Sequence, residues 1–194
     1  MRIAMLGGTF NPVHLGHLYL ADDVRLSYDY EKIVFVPANI PAHKEIEEEI
    51  GTEQRIEMLK LAVESIPQFV VDTCEIVRGG ISYTIDTIRY LASKYNTKEK
   101  IGVIIGDDLL EGFSDWKDPD QICKLATLIV AHRNRSARVS FSYPHQYIDN
   151  IVFPLSSSDI RKRIMDGKSV RFLLPDAVWR YIEEHRLYQK MQQP

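Results

Sequence analysis

Short apolar and β-branched runs recur along the chain at residues 3–6, 33–36, 69–71, 101–105, 128–130 and 151–153. Unbroken runs of this length read as strands buried on both faces. Between them the apolar positions fall at helical spacing over residues 15–27, over 53–65 with Ile56, Leu59 and Val63 on one face, and over 84–95 with Ile85, Ile88 and Leu91. Strands alternating with helices predict an α/β fold, a doubly wound and mostly parallel sheet joined by crossover helices. The last third changes character. After residue 153 come a short helix ending near Gly167 and another over 175–185 with Val178, Tyr181 and Ile182 on one side, a C-terminal helical subregion starting at about residue 155. Asp118, Pro119 and Gln121 supply a cap, a first-turn proline and a capping-box partner for a further helix start.

Length and composition narrow this picture. A chain of 194 residues, 45% hydrophobic and 26% charged, has material for one substantial core and the balance of a folded protein. One domain over residues 1–194 is therefore expected, without repeats or linkers and with the acidic stretch 45–49 as a solvated loop. The net charge of −3 offers no general attraction to nucleic acid or to an anionic membrane. Any phosphate ligand must be held by a local site. Cys74 and Cys123 lack the paired spacing of a zinc or redox motif, which fits a reducing cytosol. The apolar start is cut short by Gly7 and Gly8, too soon for a secretory signal, and no later run approaches a membrane span. A cytoplasmic location is expected.

The chemistry concentrates where the first strand empties into GGTFNPVHLGH, residues 7–17. Gly7 and Gly8 remove side chains where the backbone leaves the sheet, so an anion can approach main-chain amides there. Asn11 and Pro12 look like the cap and first residue of the next helix, whose free N–H groups favour phosphate. His14 and His17 are three residues apart, about 60° around a helix, and can face one ligand, with Gly16 keeping the surface between them low. Two donors beside a triphosphate would stabilise the charge that builds on the bridging oxygen when the α-phosphorus is attacked. An HxxH pair that merely packs or caps is the alternative. A metal site is disfavoured, since no HExxH carboxylate or third ligand is near. A dinucleotide oxidoreductase is disfavoured by the absence of GxGxxG and of a ribose-binding acid after the second strand, and neither a P-loop nor a GxSxG elbow occurs.

With those residues in place, the chain resembles the nucleotidylyltransferase superfamily and, within it, the bacterial nicotinate-nucleotide adenylyltransferases. The resemblance runs almost end to end: PAHK at 41–44, SYTIDT at 82–87, GDD at 106–108, Trp116, VAHR ending at Arg133, SSSDIR at 156–161, and Tyr181-Ile182 with Leu187-Tyr188 at the close. Asn11 stands where the family often has Asp, Ala42 where a second Pro is usual, Ser158 where Thr is common, and Asn134 where Pro often follows. The resemblance implies a Rossmann-like domain that joins ATP to nicotinate mononucleotide, giving deamido-NAD and pyrophosphate in NAD biosynthesis. It implies Mg²⁺ carried mainly on the substrate phosphates, no nucleic-acid or membrane partner, and leaves a homo-oligomer open. A sister enzyme acting on the amide mononucleotide or on phosphopantetheine, and a non-catalytic adenine-nucleotide sensor, are the competing readings.

The expected roles divide as follows. His14, His17 and Arg161 are the catalytic candidates. Gly7, Gly8, Thr9 and Phe10 belong to the ATP site, as do Gly106, where a missing side chain would let adenine or ribose approach, and Asp108, which could accept from ribose hydroxyls or merely cap a helix. Arg133 follows a strand and faces either phosphate or a surface carboxylate. Ser158 is the expected cap of the helix carrying Arg161, with Ser156, Ser157 and Ile160 added to the ATP site. Lys44, in a Pro-bounded loop with His43, is assigned to the mononucleotide phosphate by resemblance. Ser82, Tyr83 and Thr84 begin a helix whose N–H groups could receive a carboxylate, where an amide would leave donors unpaired at a cost of roughly 1–3 kcal/mol. Trp116 could stack on a pyridinium ring, worth about 0.5–2 kcal/mol, or pack in the core.

Overall fold

The computed structural model describes residues 1–42, 50–133 and 140–189. Its main sheet contains β1 (Ile3–Gly8), β2 (Lys32–Pro37), β4 (Phe69–Val71), β6 (Ile101–Gly106), β7 (Ala126–Ala131) and β8 (His145–Ile148), ordered β4-β2-β1-β6-β7-β8. Every pairing between them is parallel, so the sheet is wholly parallel where a mostly parallel one was expected. Leu6, for example, lies opposite Phe35 on one side and Ile104 on the other. The short β3 (Ile40–Pro41) and β5 (Ile81–Ser82) pair beyond the main sheet, again in parallel.

Strand residues alternate between two cores, as the two-residue period of a pleated strand requires. Ala4, Leu6, Ile33 and Phe35 pack with helices α1 (Leu15–Ser27), α2 (Thr52–Val63), α6 (Ser157–Met165) and α7 (Asp176–Glu184) through Val24, Leu59, Ile160 and Val178. Ile3, Met5, Val34 and Val36 face the other way. They pack with α3 (Cys74–Arg78), α4 (Thr84–Lys94) and α5 (Pro119–Leu125) through Cys74, Ile88, Leu91 and Ile122. Helices on both faces are what a buried parallel sheet needs. Among the described residues, no helix is long and apolar enough to cross a membrane.

Two local expectations are corrected. Residues 151–153 do not form a strand: Ile151 is 61% and Phe153 43% exposed, and the terminal strand is β8, several residues earlier. With a neighbour on one side only, β8 buries Ile148 alone, so its sequence HQYI carries no apolar run to read. Asp118 does not cap α5 through its carboxylate. Its backbone is left-handed (φ 55°, ψ 54°) rather than extended, and its carbonyl instead receives the N–H groups of Gln121 and Ile122 at 3.0 Å each.

Gly102 on β6 shows how tightly the sheet centre is filled. A Cβ there would sit 2.6 Å from Cζ of Tyr30 and 2.7 Å from Cβ of Ala4. Gly102→Ala is therefore expected to lower unfolding stability by about 1–3 kcal/mol, against the modest gain of a strain-free Gly→Ala change. A denaturant titration checks this, and an unchanged midpoint would contradict the packing described.

Candidate active site

The strand order reverses between β1 and β6, since the chain runs outward from β1 through β2 to β4 and then returns to build β6, β7 and β8 on the other side. Such a switch opens a crevice at the carboxyl ends of the two central strands. Here it is a cleft of about 670 Å³, lined by the loop after β1, by Gly106 and Asp108 after β6, by Arg133 after β7, and by Arg161 and the serines that begin α6.

The Asn11–Pro12 pair is not the start of α1. It forms a turn, and the helix begins at Leu15 with His14 as the residue before it. Asn11 is instead 4% exposed, its Oδ1 accepting from the Tyr188 hydroxyl at 2.6 Å and its carbonyl accepting from Arg161 Nη1 at 3.0 Å. The imidazoles of His14 and His17 lie face to face, with centroids 3.7 Å apart and planes inclined by 30°. Gly16 makes this possible, because a Cβ there would come within 3.1 Å of the His14 ring. His17 Nδ1 accepts the backbone N–H of His14 at 3.2 Å, which leaves the proton of a neutral ring on Nε2. Phe10, with φ 50°, places its ring edge-on to His17 at 5.1 Å and is 2% exposed, so it forms the floor of the loop. Gly8 leaves room for that ring, whereas a Cβ on Gly7 would meet nothing closer than 3.9 Å; Gly7 keeps space open on the cleft side.

Burial lowers the His14 pKa to about 4, and the Arg133 guanidinium pushes in the same direction. His17 is held well below its ordinary value by burial first, then by His14 and Arg133. Both rings are neutral donors at neutral pH.

Arg161, 7% exposed, reaches the same cleft from α6. That helix is capped by Ser156, whose Oγ accepts from Asp159 N at 3.1 Å, and not by Ser158, which already lies inside the first turn. Ser157 Oγ donates to the Pro12 carbonyl at 2.8 Å, joining the two halves of the site. Ile160 is fully buried in the core, so its side chain has no part in the cleft; the helical register turns it inward while Arg161 faces the loop. Beside β6, the space above Gly106 is taken by this protein's own side chains: a Cβ there would lie 2.6 Å from Arg133 Cδ, with the Asp108 carboxylate also against it. Asp108 and Arg133, each half exposed, stand 3.8 Å apart at the cleft edge. The buried Asp107 is structural, accepting from Arg133 N at 3.0 Å and facing His132 Nδ1 at 3.3 Å.

On the opposite side, Ser82, Thr84 and Trp116 line the same cleft. Asn39 N donates to Ser82 Oγ at 2.9 Å and Asn39 Nδ2 to the Gly80 carbonyl at 2.9 Å, fixing the start of α4 against the end of β2. Trp116 lines the cleft and also packs on Phe113 at 5.0 Å, as the core reading expects. The Tyr83 ring turns away, into the second core and under Lys117 Nζ at 4.6 Å, which leaves only its backbone, preceding α4, for the site. Lys44 and His43 lie outside the described residues.

Three residues had no assigned role from the sequence. Arg55, 2% exposed, donates from α2 to the carbonyls of Thr9 (2.8 Å) and Ala38 (3.0 Å), tying the ends of β1 and β2 together. Its signal was an arginine in register with Leu59 and Ala62 on the buried face. Glu75 lines the cleft and accepts from Thr87 Oγ at 2.6 Å, and Tyr188 stood in the closing motif without a task.

The lowered histidine pKa values have a thermodynamic consequence. An unfolded chain protonates its imidazoles near 6.5, whereas the folded protein resists until about 4 at His14, so the unfolded state binds more protons between those values. Stability contributed by the neutral rings is complete above about 6.5 and is lost as the pH falls toward 4. His14→Gln is expected to flatten this slope in denaturant titrations run from pH 7 to 4.5; an unaltered slope would contradict the neutral-ring description.

Residues 5–163 match the family model described as cytidylyltransferase-like. A relative from Borrelia hermsii named "Probable nicotinate-nucleotide adenylyltransferase" is 48% identical over 98% of this chain and 99% of its own. One of the same name from Oceanobacillus iheyensis is 38% identical over 96% of each chain. Among solved structures, the Plasmodium falciparum nicotinic acid mononucleotide adenylyltransferase complexed with NaAD superposes with a TM-score of 0.75 over 96% of this chain and 97% of that one; at 16% identity this is a likeness of fold. The match across most of the domain and the near full-length identities place this chain in the cytidylyltransferase-like family, among the bacterial nicotinate-nucleotide adenylyltransferases.

Proposed function

We propose that the chain transfers the adenylyl group of ATP to nicotinate mononucleotide, releasing pyrophosphate and forming deamido-NAD. The observation that carries this reading is the convergence of a neutral histidine pair, a guanidinium and two helix N-termini on one cleft. The first-turn N–H groups of α6 lie outside its internal ladder and, with Arg161, suit the β- and γ-phosphates. His14 and His17 suit the α-phosphate and the bridging oxygen, Arg133 the outer phosphates, and Asp108 the ribose hydroxyls. Gly7, Gly8, Thr9 and Phe10 act through their backbone, and Ser156 and Ser157 by shaping the start of α6.

The 5′-phosphate oxygen of the mononucleotide attacks the α-phosphorus in line with the departing pyrophosphate. An ionised phosphate is already a competent nucleophile, so alignment and charge stabilisation are the protein's task. His17, with its proton on Nε2, donates to charge that grows in the transition state. The cleft's charged lining is two guanidinium groups, Arg133 and Arg161, and two carboxylates, Asp108 and Glu75, and no group of three His, Cys, Asp or Glu among the described residues could cage a metal. That donor set fits Mg²⁺ held through the phosphate oxygens, where it would offset phosphate charge. For the second substrate, the first turn of α4, reached through Ser82, Tyr83 and Thr84, offers N–H groups to a carboxylate, and Trp116 offers its face to the pyridinium. Lys44 is assigned to the mononucleotide phosphate on family resemblance.

The test is pyrophosphate release from ATP with the acid and amide mononucleotides in parallel, and with phosphopantetheine as a third arm. The acid is expected to be preferred over the amide by roughly 10- to 100-fold, the equivalent of the unpaired donors. Equal rates, or turnover with phosphopantetheine alone, would contradict the assignment. His17→Ala is expected to lower turnover about 10²-fold with a smaller change in ATP affinity; undiminished turnover would remove its catalytic role.

A further inference from the structure

We infer that Tyr188 is a positioning residue: its hydroxyl, acting through Asn11, sets where the histidine loop stands relative to Arg161. This rests on the transfer reaction proposed above. Residues 11 and 12 receive hydrogen bonds from two separate C-terminal elements, although the partners are at least 145 positions apart in the chain. Tyr188 donates to Asn11 Oδ1 at 2.6 Å, Arg161 Nη1 to the Asn11 carbonyl at 3.0 Å, and Ser157 Oγ to the Pro12 carbonyl at 2.8 Å. One peptide segment is thus held by its side chain on one side and by its carbonyls on the other.

The position of this clamp makes it more than a packing contact. Asn11 stands between Phe10, whose ring edge meets His17, and His14, whose ring stacks on His17. A shift of Asn11 therefore moves both imidazoles and the guanidinium's anchor together, and misplacement by about an ångström is enough to slow a reaction that depends on alignment. Tyr188, Asn11 and Arg161 are 7%, 4% and 7% exposed, so water does not readily replace these bonds.

The tail is shaped to deliver the hydroxyl. After α7 the chain turns through Arg186 (φ 50°) and Tyr188 (φ 60°), left-handed conformations uncommon for bulky residues. Leu187, 6% exposed, anchors the turn in the core, with its N–H on the Ile182 carbonyl at 3.0 Å. The position where the family often has Asp here carries an amide, and the phenol donates to its oxygen; a carboxylate would accept the same bond.

Tyr188→Phe removes only the hydroxyl. It is expected to lower kcat about tenfold while KM for ATP changes less than about threefold, the pattern of lost transition-state alignment. Asn11→Ala is expected to lose a similar factor, Asn11→Asp to recover most of it, and Asn11→Ala combined with Tyr188→Phe to be little worse than either alone. Lower melting temperatures with full kcat at a permissive temperature would show a merely structural bond and overturn the proposal, as would equal losses in Asn11→Asp and Asn11→Ala. Absence of pyrophosphate release by the unmodified protein would sink the transfer reading separately. In that event a crystal structure of Tyr188→Phe decides: displacement of residues 10–14 and Arg161 supports the clamp, and an unmoved loop overturns it. Should Tyr188→Phe fail to fold, the contrast between Asn11→Asp and Asn11→Ala carries the test alone.

Discussion

Two imidazoles stacked 3.7 Å apart in a largely buried cleft cannot both carry charge at ordinary pH, and the rest of the site is arranged around that constraint. Burial, mutual repulsion and the nearby Arg133 all act in one direction. The start of a helix, with its partial positive charge, disfavours a proton on either ring as well. The two rings thereby present polarised N–H donors that carry no fixed charge. An incoming polyphosphate brings negative charge that opposes these influences, so the rings gain proton affinity where that charge arrives. Gly16 and Gly8 serve this stack directly, one by admitting the His14 ring and the other by admitting the Phe10 floor beneath His17.

The fold supplies the stack with its surroundings through strand order. Reversal between β1 and β6 opens the crevice, and the crossing points are then fastened by long-range hydrogen bonds. Arg55 holds the ends of β1 and β2, Ser157 and Arg161 hold the turn at residues 11 and 12, and Asn39 holds the start of α4. These bonds fasten the helices and turns around the cleft to the carboxyl edge of the sheet. Packing of both cores fixes the elements, and these polar ties fix the last ångström.

Legibility in the sequence followed burial. β1, β2, β6 and β7 have a strand on each side and carry nearly unbroken apolar runs; of the two edge strands, β4 still reads as FVV, whereas β8 carries HQYI and leaves the apolar run at residues 151–153 as the cue for a strand that is not there. The helices were readable by period, and α1, α4 and α5 begin at Leu15, Thr84 and Pro119 as the pattern indicates, yet the groups that cap them were not. Asn11 and Ser158 resemble caps by composition, but which polar residue caps depends on where the backbone first turns helical, and tertiary bonds at Asn11 and the register of α6 decided that. The candidate site was largely legible because its chemistry sits in contiguous motifs at strand ends: His14, His17, Arg161, Arg133, Ser82, Thr84 and Trp116 reach one cleft. Ile160 and the Tyr83 ring shared those motifs but point into the cores. Arg55 and Tyr188 escaped because their roles arise from partners distant in sequence, which local spacing cannot express.

The central claim, that two neutral imidazoles await one polyphosphate, is tested most directly by following the ring nitrogens of His14 and His17 by ¹⁵N NMR through a pH titration, with and without a non-hydrolysable ATP analogue. In the free protein both are expected to titrate below 6.5, His14 at about 4, with the neutral His17 protonated on Nε2, and the analogue is expected to raise both values. Two rings titrating near 6.5 and indifferent to the analogue would contradict the account.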